Sequence, residues 1–149
     1  MRVWGWSAYF VDLAPEWKGY FDANLEALVS DLNELDEDLK ETLGPLAGES
    51  VYVFHPAFGY LTDAYGLVQV PVEMGGTEPS ARELVYLTSR ARRDGVRVIF
   101  VQPQFSRKSA EAIAAEIGGA VVPIDPLSSD YIENLRNIAA RMRSALAGE

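Results

Sequence analysis

The first third of the chain carries one long helical pattern. Leucines recur at steps of three and four residues, which places them on a single helix face: Leu25, Leu28, Leu32, Leu35 and Leu39. Pro15 and Glu16 suit the first turn, and Leu43-Gly44-Pro45 is typical of a helix end. The pattern therefore predicts a helix of roughly 28 residues, about 42 Å long at ~1.5 Å per residue, which is too long to pack on one small domain.

From residue 50 onward, short apolar runs alternate with helical patterns. The apolar runs predict four buried strands, at residues 50–54, 67–72, 96–102 and 120–124. Helices are predicted at residues 57–65, 80–94, 106–119 and 130–146. Ser80 and Glu83 predict a capping box, and Ser106 is the expected cap of the next helix. We therefore predict an α/β fold in which the long helix precedes a four-stranded parallel sheet flanked by helices.

These patterns divide the chain into three segments. Residues 1–14 are rich in aromatic side chains, residues 15–44 form the long linker helix, and residues 45–149 form the α/β lobe. If the aromatic side chains of the first segment are exposed, they form a surface typical of an interface. The alternative is that they pack on the helices of their own domain.

Composition and charge restrict the classes of function. The formal net charge of −9 leaves no basic stripe to neutralise phosphates, which argues against a nucleic-acid partner and against anionic lipid. The absence of cysteine excludes disulfides, thiolate metal sites and cysteine nucleophiles. No apolar run reaches the ~18 residues of a membrane span. The first residues lack the features of a secretory signal, so we expect either a cytoplasmic protein or one whose signal has been removed.

Two residues at strand ends are candidates for metal chemistry. His55, the only histidine, follows the first predicted strand, and Asp125 follows the fourth; each is followed by proline. The carboxyl ends of parallel strands meet at the edge where open α/β sheets bind ligands, and imidazole and carboxylate both bind divalent ions. Each also has a structural interpretation, because a strand-end histidine can be a hydrogen-bonded core residue and a strand-end aspartate can cap the next helix.

Other chemistries have little support. Gly75-Gly76 lies outside any phosphate-binding motif, and no GxSxG nucleophile elbow is present. Asp63 and Glu73 are scattered carboxylates for which spacing identifies no partner. We therefore expect that the protein is not an enzyme.

Several motifs, in order, resemble the metal receptors of cluster A-I, the zinc- and manganese-binding proteins of bacterial ABC importers. The likeness starts near Pro15-Glu16, at the head of the long helix, and extends to about residue 147. Its motifs are Phe54-His55-Pro56-Ala57-Phe58-Gly59-Tyr60-Leu61, Glu78-Pro79-Ser80, Pro103-Gln104-Phe105-Ser106 and Ile124-Asp125-Pro126-Leu127.

The resemblance implies a receptor outside the cytoplasm, either periplasmic or anchored to the membrane on the extracellular side. Such a receptor captures a divalent metal ion between two lobes and passes it to the permease of an ABC transporter. In this family a metal ligand occupies the position of His55, and the aspartate at the position of Asp125 supplies the last ligand. Histidine at position 55 is typical of the zinc branch, so zinc is expected rather than manganese.

The sequence departs from the family at the start. The resemblance implies that the N-terminal lobe is missing, and with it two histidine ligands, and Arg2 stands near Trp4 where the family has a histidine. The chain is thus expected to be a C-terminal lobe with half of the metal site. Two alternatives remain. The chain is a metal-free structural or interaction module, or it self-associates and rebuilds a four-ligand site across a homodimer.

Overall fold

The computed structural model describes residues 4–73 and 75–147. The helices are α1 (Trp4–Leu13), α2 (Lys18–Leu43), α3 (Gly59–Ala64), α4 (Ala81–Arg93), α5 (Lys108–Ile117) and α6 (Tyr131–Ala147). The strands are β1 (Ser50–Val53), β2 (Val68–Pro71), β3 (Val98–Val101) and β4 (Ala120–Pro123). They form a parallel sheet in the order β2-β1-β3-β4. The predicted α/β fold, with a long N-terminal helix before a four-stranded parallel sheet, is confirmed.

The chain divides into two compact units, Met1–Asp38 and Leu39–Glu149, and the division falls within α2. In the first unit, several aromatic rings contact one another: Phe10 with Phe21, and Tyr20 with both Trp17 and Phe21, at centroid distances of 5.7 to 6.0 Å. Trp4 and Trp6 also belong to the predicted aromatic segment, but their side chains lie outside the described part of the structure. Among the described helices, none combines the length and apolar character needed to cross a membrane.

The leucine stripe of α2 is buried only in its second half. Leu28 is 42% exposed, whereas Leu39 is 3% exposed and Leu43 is fully buried. In the described residues, the first turns of the stripe are therefore not part of a core. The periodicity of a helix shows which residues share a face, but it does not show how much of that face another element covers.

The core of the second unit lies on both faces of the sheet. On one face, alternate residues of β1 and β3, such as Tyr52 and Ile99, pack with α4 and α5 residues. Val51, Val53 and Phe100 alternate with them and are equally buried. The Tyr52 hydroxyl donates a 2.8 Å hydrogen bond to Asp94. Burial, and then this carboxylate, raise the pKa of Tyr52 above its usual range, so the phenol is an uncharged donor.

Local signals set the helix ends. The predicted capping box is present, because Ser80 Oγ accepts from the Glu83 amide and the Glu83 carboxylate accepts from the Ser80 amide. The hydrogen bonds from Ser80 lower the pKa of Glu83. Arg107 rather than the predicted Ser106 occupies the cap position of α5, and Ser106 Oγ, one residue earlier, accepts from the Lys108 amide at 3.4 Å.

The connection between α5 and β4 requires its two glycines. Gly118 has a φ of +67°, in the left-handed region that favours glycine. At Gly119, an added Cβ would lie 2.4 Å from the Arg97 carbonyl oxygen, which is too close for a nonbonded contact. That same carbonyl accepts the first hydrogen bond of β4, from the Ala120 amide. Glycine therefore allows β4 to join the sheet directly after the helix.

Candidate functional site

One edge of the sheet collects a row of polar side chains. Because all four strands are parallel, their carboxyl ends lie at the same edge. In the spatial order of the strands, the residues that follow them are Glu73 after β2, His55 after β1, Gln102 and Gln104 after β3, and Asp125 after β4. The sheet thus places both residues singled out from the sequence at one edge, with the end of β3 between them.

His55 is in contact with a buried carboxylate. Its Nδ1 lies 2.7 Å from Glu73 Oε1. Glu73 is only 6% exposed, whereas the histidine side chain remains 40% exposed. The hydrogen-bond ladder between β1 and β2 continues past both strands, since the Glu73 amide donates to the Phe54 carbonyl. This continuation holds Glu73 beside the residue that follows Phe54.

The ring of Phe105 packs on the His55 imidazole. The two rings are nearly parallel, with an interplanar angle of 17° and a centroid distance of 4.7 Å. Phe105 also contacts the ring of the buried Phe54 at 5.6 Å. The stacked rings set the plane of the imidazole, while the hydrogen bond to Glu73 sets its rotation within that plane.

The buried side-chain amide of Gln102 binds the main chain of His55, whose carbonyl also accepts from the Ala57 amide at 2.8 Å. Gln102 Oε1 accepts from the His55 amide at 3.2 Å, and Gln102 Nε2 donates to the His55 carbonyl at 2.7 Å. Gln102 is 1% exposed, so this pair of hydrogen bonds is sheltered from water. The histidine is therefore held at its backbone, its ring face and one ring nitrogen.

Asp125 is held by its neighbours in a different way. Its Oδ1 accepts from the Leu127 amide at 3.0 Å and from Gln104 Nε2 at 3.1 Å. Asn134 of α6 donates to its carbonyl at 2.7 Å. Asp125 closes a local turn of the Asp-Pro-Leu segment, and the α6 amide that a cap would bind is instead held by Asp130. In the described residues, both hydrogen bonds to the Asp125 carboxylate end on Oδ1.

The loop after β3 connects the two candidate residues, because Phe105 stacks on His55 and Gln104 binds Asp125. His55 and Asp125 follow strands that are two positions apart, or roughly 10 Å between strand axes. Within residues 4–73 and 75–147, no group of three or more histidine, aspartate or glutamate side chains is placed to hold a metal ion. Of the two residues singled out from the sequence, this edge thus offers an imidazole and a carboxylate.

Glu73, Gln102 and Phe105 were not predicted from the sequence to belong to the site. Spacing identified no partner for Glu73, yet Glu73 follows β2 at the same edge as His55. The signal that could have found it is the order of the strands. Once β2 is placed beside β1, the residues that leave the two strands become neighbours.

Comparisons with known proteins give one consistent family. A family model described as "Zinc-uptake complex component A periplasmic" matches residues 7–145. The high-affinity zinc uptake system protein ZnuA of Bacillus subtilis is 32% identical over 123 residues, which are 81% of this chain and 39% of that protein. The protein of the same name from Haemophilus influenzae is 30% identical over 136 residues, or 87% of this chain and 39% of that protein.

Solved structures agree with this match. A crystal structure of ZnuA superposes with a TM-score of 0.90 and 39% identity, over 94% of this chain and 55% of that one. A zinc-bound deletion mutant of ZnuA gives a TM-score of 0.85 and 40% identity, over 93% of this chain and 54% of that one. The chain thus spans about half the length of the solved structures, and about two fifths of the two relatives. It belongs to the family of periplasmic zinc-uptake component A proteins, the zinc- and manganese-binding receptors of ABC importers.

Proposed function

We propose that this chain is the C-terminal half of a zinc receptor, in which His55 and Asp125 bind the transported ion. The observation that carries the proposal is the immobilised imidazole at the carboxyl edge of the sheet. Glu73, Phe105 and Gln102 fix that side chain while it stays 40% exposed. A partly exposed histidine with its ring and backbone held in place is suited to bind an ion with little reorganisation.

The chemistry of the two ligands favours zinc as the substrate. Neutral imidazole nitrogen and carboxylate oxygen are both common zinc ligands, whereas manganese prefers oxygen. Both hydrogen bonds that the described residues donate to the Asp125 carboxylate end on Oδ1, so Oδ2 is the oxygen offered to the ion. The names of the relatives, zinc uptake and zinc-binding proteins, point to the same substrate.

Zinc in proteins commonly has four ligands, and this edge supplies two. The proposal therefore includes a second lobe that contributes the others, with residues 15–44 as the helix that joins the lobes and residues 45–149 as the C-terminal lobe. The relatives extend well beyond the matched region, which supports this arrangement. The receptor acts outside the cytoplasm and delivers zinc to an ABC permease, without catalysing a reaction.

Calorimetric titration of the metal-free chain with zinc, free of any histidine tag, tests the proposed ligands. We expect measurable binding that becomes at least about tenfold weaker in His55→Ala and in Asp125→Ala, since tenfold is only ~1.4 kcal/mol and each variant removes a ligand. Asp63→Ala, which removes an exposed carboxylate elsewhere, is the matched control and should bind as the parent does. Equal affinity in all four proteins would refute the assignment of His55 and Asp125.

A second candidate is a homodimer that shares one zinc ion between two copies. It is favoured by exposed apolar side chains in the first unit, where Leu13, Trp17 and Tyr20 are each more than half exposed. Two copies would supply two imidazoles and two carboxylates, a complete four-ligand set.

A further inference from the structure

We infer that Glu73 is a positioning residue that fixes the tautomer of His55 and so presents Nε2, rather than Nδ1, to the ion. The inference deepens the proposed function and rests on it wherever zinc is concerned. The tautomer itself is a property of the metal-free chain and is measurable without any ion.

The first step is the direction of the hydrogen bond between the two side chains. A neutral imidazole carries one N–H, on either Nδ1 or Nε2, and an ionised carboxylate can only accept. The 2.7 Å distance between Nδ1 and Glu73 Oε1 is that of a strong hydrogen bond. The proton is therefore on Nδ1, and Nε2 keeps the lone pair that a metal ion requires.

The second step is that the ring has no easy alternative orientation. A half-turn of the imidazole would move Nδ1 away from Glu73 and break this hydrogen bond. The stacked Phe105 ring fixes the plane, and the two hydrogen bonds from Gln102 fix the backbone from which the side chain extends. Glu73 is itself buried and its backbone is paired to Phe54, so the acceptor does not move with the ring.

The third step is the effect on the ligand atom. A carboxylate that accepts from one ring nitrogen increases the basicity of the other and lowers the cost of orienting the ring. Nδ1 cannot bind zinc while it donates to Glu73, because a nitrogen with a bound hydrogen has no free lone pair. Glu73 thus selects one ring nitrogen without being a ligand itself.

Because His55 is the only histidine, the experiment needs no assignment of signals. The chain is labelled with ¹⁵N-histidine, freed of metal and of any histidine tag, and studied by two-bond ¹H–¹⁵N correlation at alkaline pH, where imidazole is neutral. We expect the Nδ1–H tautomer, the opposite of the form that free histidine prefers in water. In Glu73→Leu the signals should move to the Nε2–H tautomer, and in Asp63→Asn they should stay unchanged.

Glu73→Met, which keeps an unbranched side chain of similar length, repeats the test should leucine disturb the fold. Amide spectra of each variant report whether it is folded. An Nε2–H tautomer in the parent chain, or an Nδ1–H tautomer that persists in a folded Glu73 variant, would overturn the inference.

Addition of zinc separates this inference from the proposed function. We expect zinc to shift the Nε2 signal of the parent chain, and we expect the Glu73 variants to bind zinc about 10- to 100-fold more weakly. Coordination at Nδ1 would contradict the inference while supporting His55 as a ligand. If zinc leaves both nitrogen signals unchanged, the zinc proposal fails, and the tautomers of parent and variants alone decide whether Glu73 positions the ring.

Discussion

The side chain of Gln102 takes the place of a neighbouring strand for one residue, His55, beyond the end of the regular pairing. The regular pairing of β1 with β3 ends before His55, and the buried amide of Gln102 then binds both the amide and the carbonyl of that residue. Backbone groups buried without a partner are costly, so a side chain that pairs with both at once is a strong local constraint. It fixes the point from which the candidate ligand leaves the sheet.

Replacement of Gln102 by leucine tests this constraint. Leucine fills a similar space but removes the acceptor of the His55 amide and one of the two donors to the His55 carbonyl, which keeps its hydrogen bond from the Ala57 amide. We therefore expect a loss of about 1 to 3 kcal/mol in the free energy of unfolding. Urea unfolding at neutral pH measures the change. The same substitution at the exposed Gln104 is the matched control, with an expected loss within about 0.5 kcal/mol. Similar losses at the two positions would show that Gln102 does not hold the backbone.

Single residues differed in how well the sequence predicted them. The position of His55 and Asp125 at strand ends could be predicted because each follows an apolar run and precedes a proline, which is a local signal. Glu73 lies 18 residues from His55 along the chain, and only the pairing of β2 with β1 brings them together. Periodicity describes one element at a time, so it contains no information about which strands are neighbours.

From the long helix onward, helices and strands could be predicted in kind and order, and their ends less well, whereas α1 (Trp4–Leu13) was not predicted. The capping box at Ser80 was found because both of its partners lie within one helical turn. The third strand was predicted at residues 96–102 and is β3, Val98–Val101. Apolar residues such as Val72 and Phe54 remain buried after their strands end, so an apolar run is longer than the strand that it contains.

The leucine stripe of α2 provides a test within one element. Leu39 is 3% exposed and Leu28 is 42% exposed, although periodicity places both on one face. We expect Leu39→Ala to cost about 2 to 5 kcal/mol, because it leaves a cavity in the core, and Leu28→Ala to cost less than about 1 kcal/mol. Chemical unfolding of the two variants measures the difference. A large cost at Leu28 would mean that this part of the helix is covered in solution.

At the scale of the whole molecule, the sequence motifs indicated the family, and the comparisons confirm it. The motifs could do so because each is a short segment at a strand end or a helix start, where backbone geometry and ligand chemistry restrict the residue. The chain spans about half the length of the solved relatives. The proposed function takes the remaining zinc ligands from a second lobe, and the composition and periodicity of these 149 residues carry no information about ligands of that kind.

The mass of the chain in the presence of zinc distinguishes the two proposed ways to complete the site. If another lobe supplies the remaining ligands, a second copy of this chain has no role, and sedimentation should show the same mass with and without excess zinc. If two copies share one ion, zinc should double the mass at one ion per two chains, because two imidazoles and two carboxylates satisfy a single tetrahedral ion. We expect the unchanged mass, because the proposed function assigns the remaining ligands to a second lobe rather than to a second copy. If the mass doubles in the parent chain and does not double in His55→Ala, the proposal of a receptor half is wrong, and the zinc-linked dimer is the better explanation.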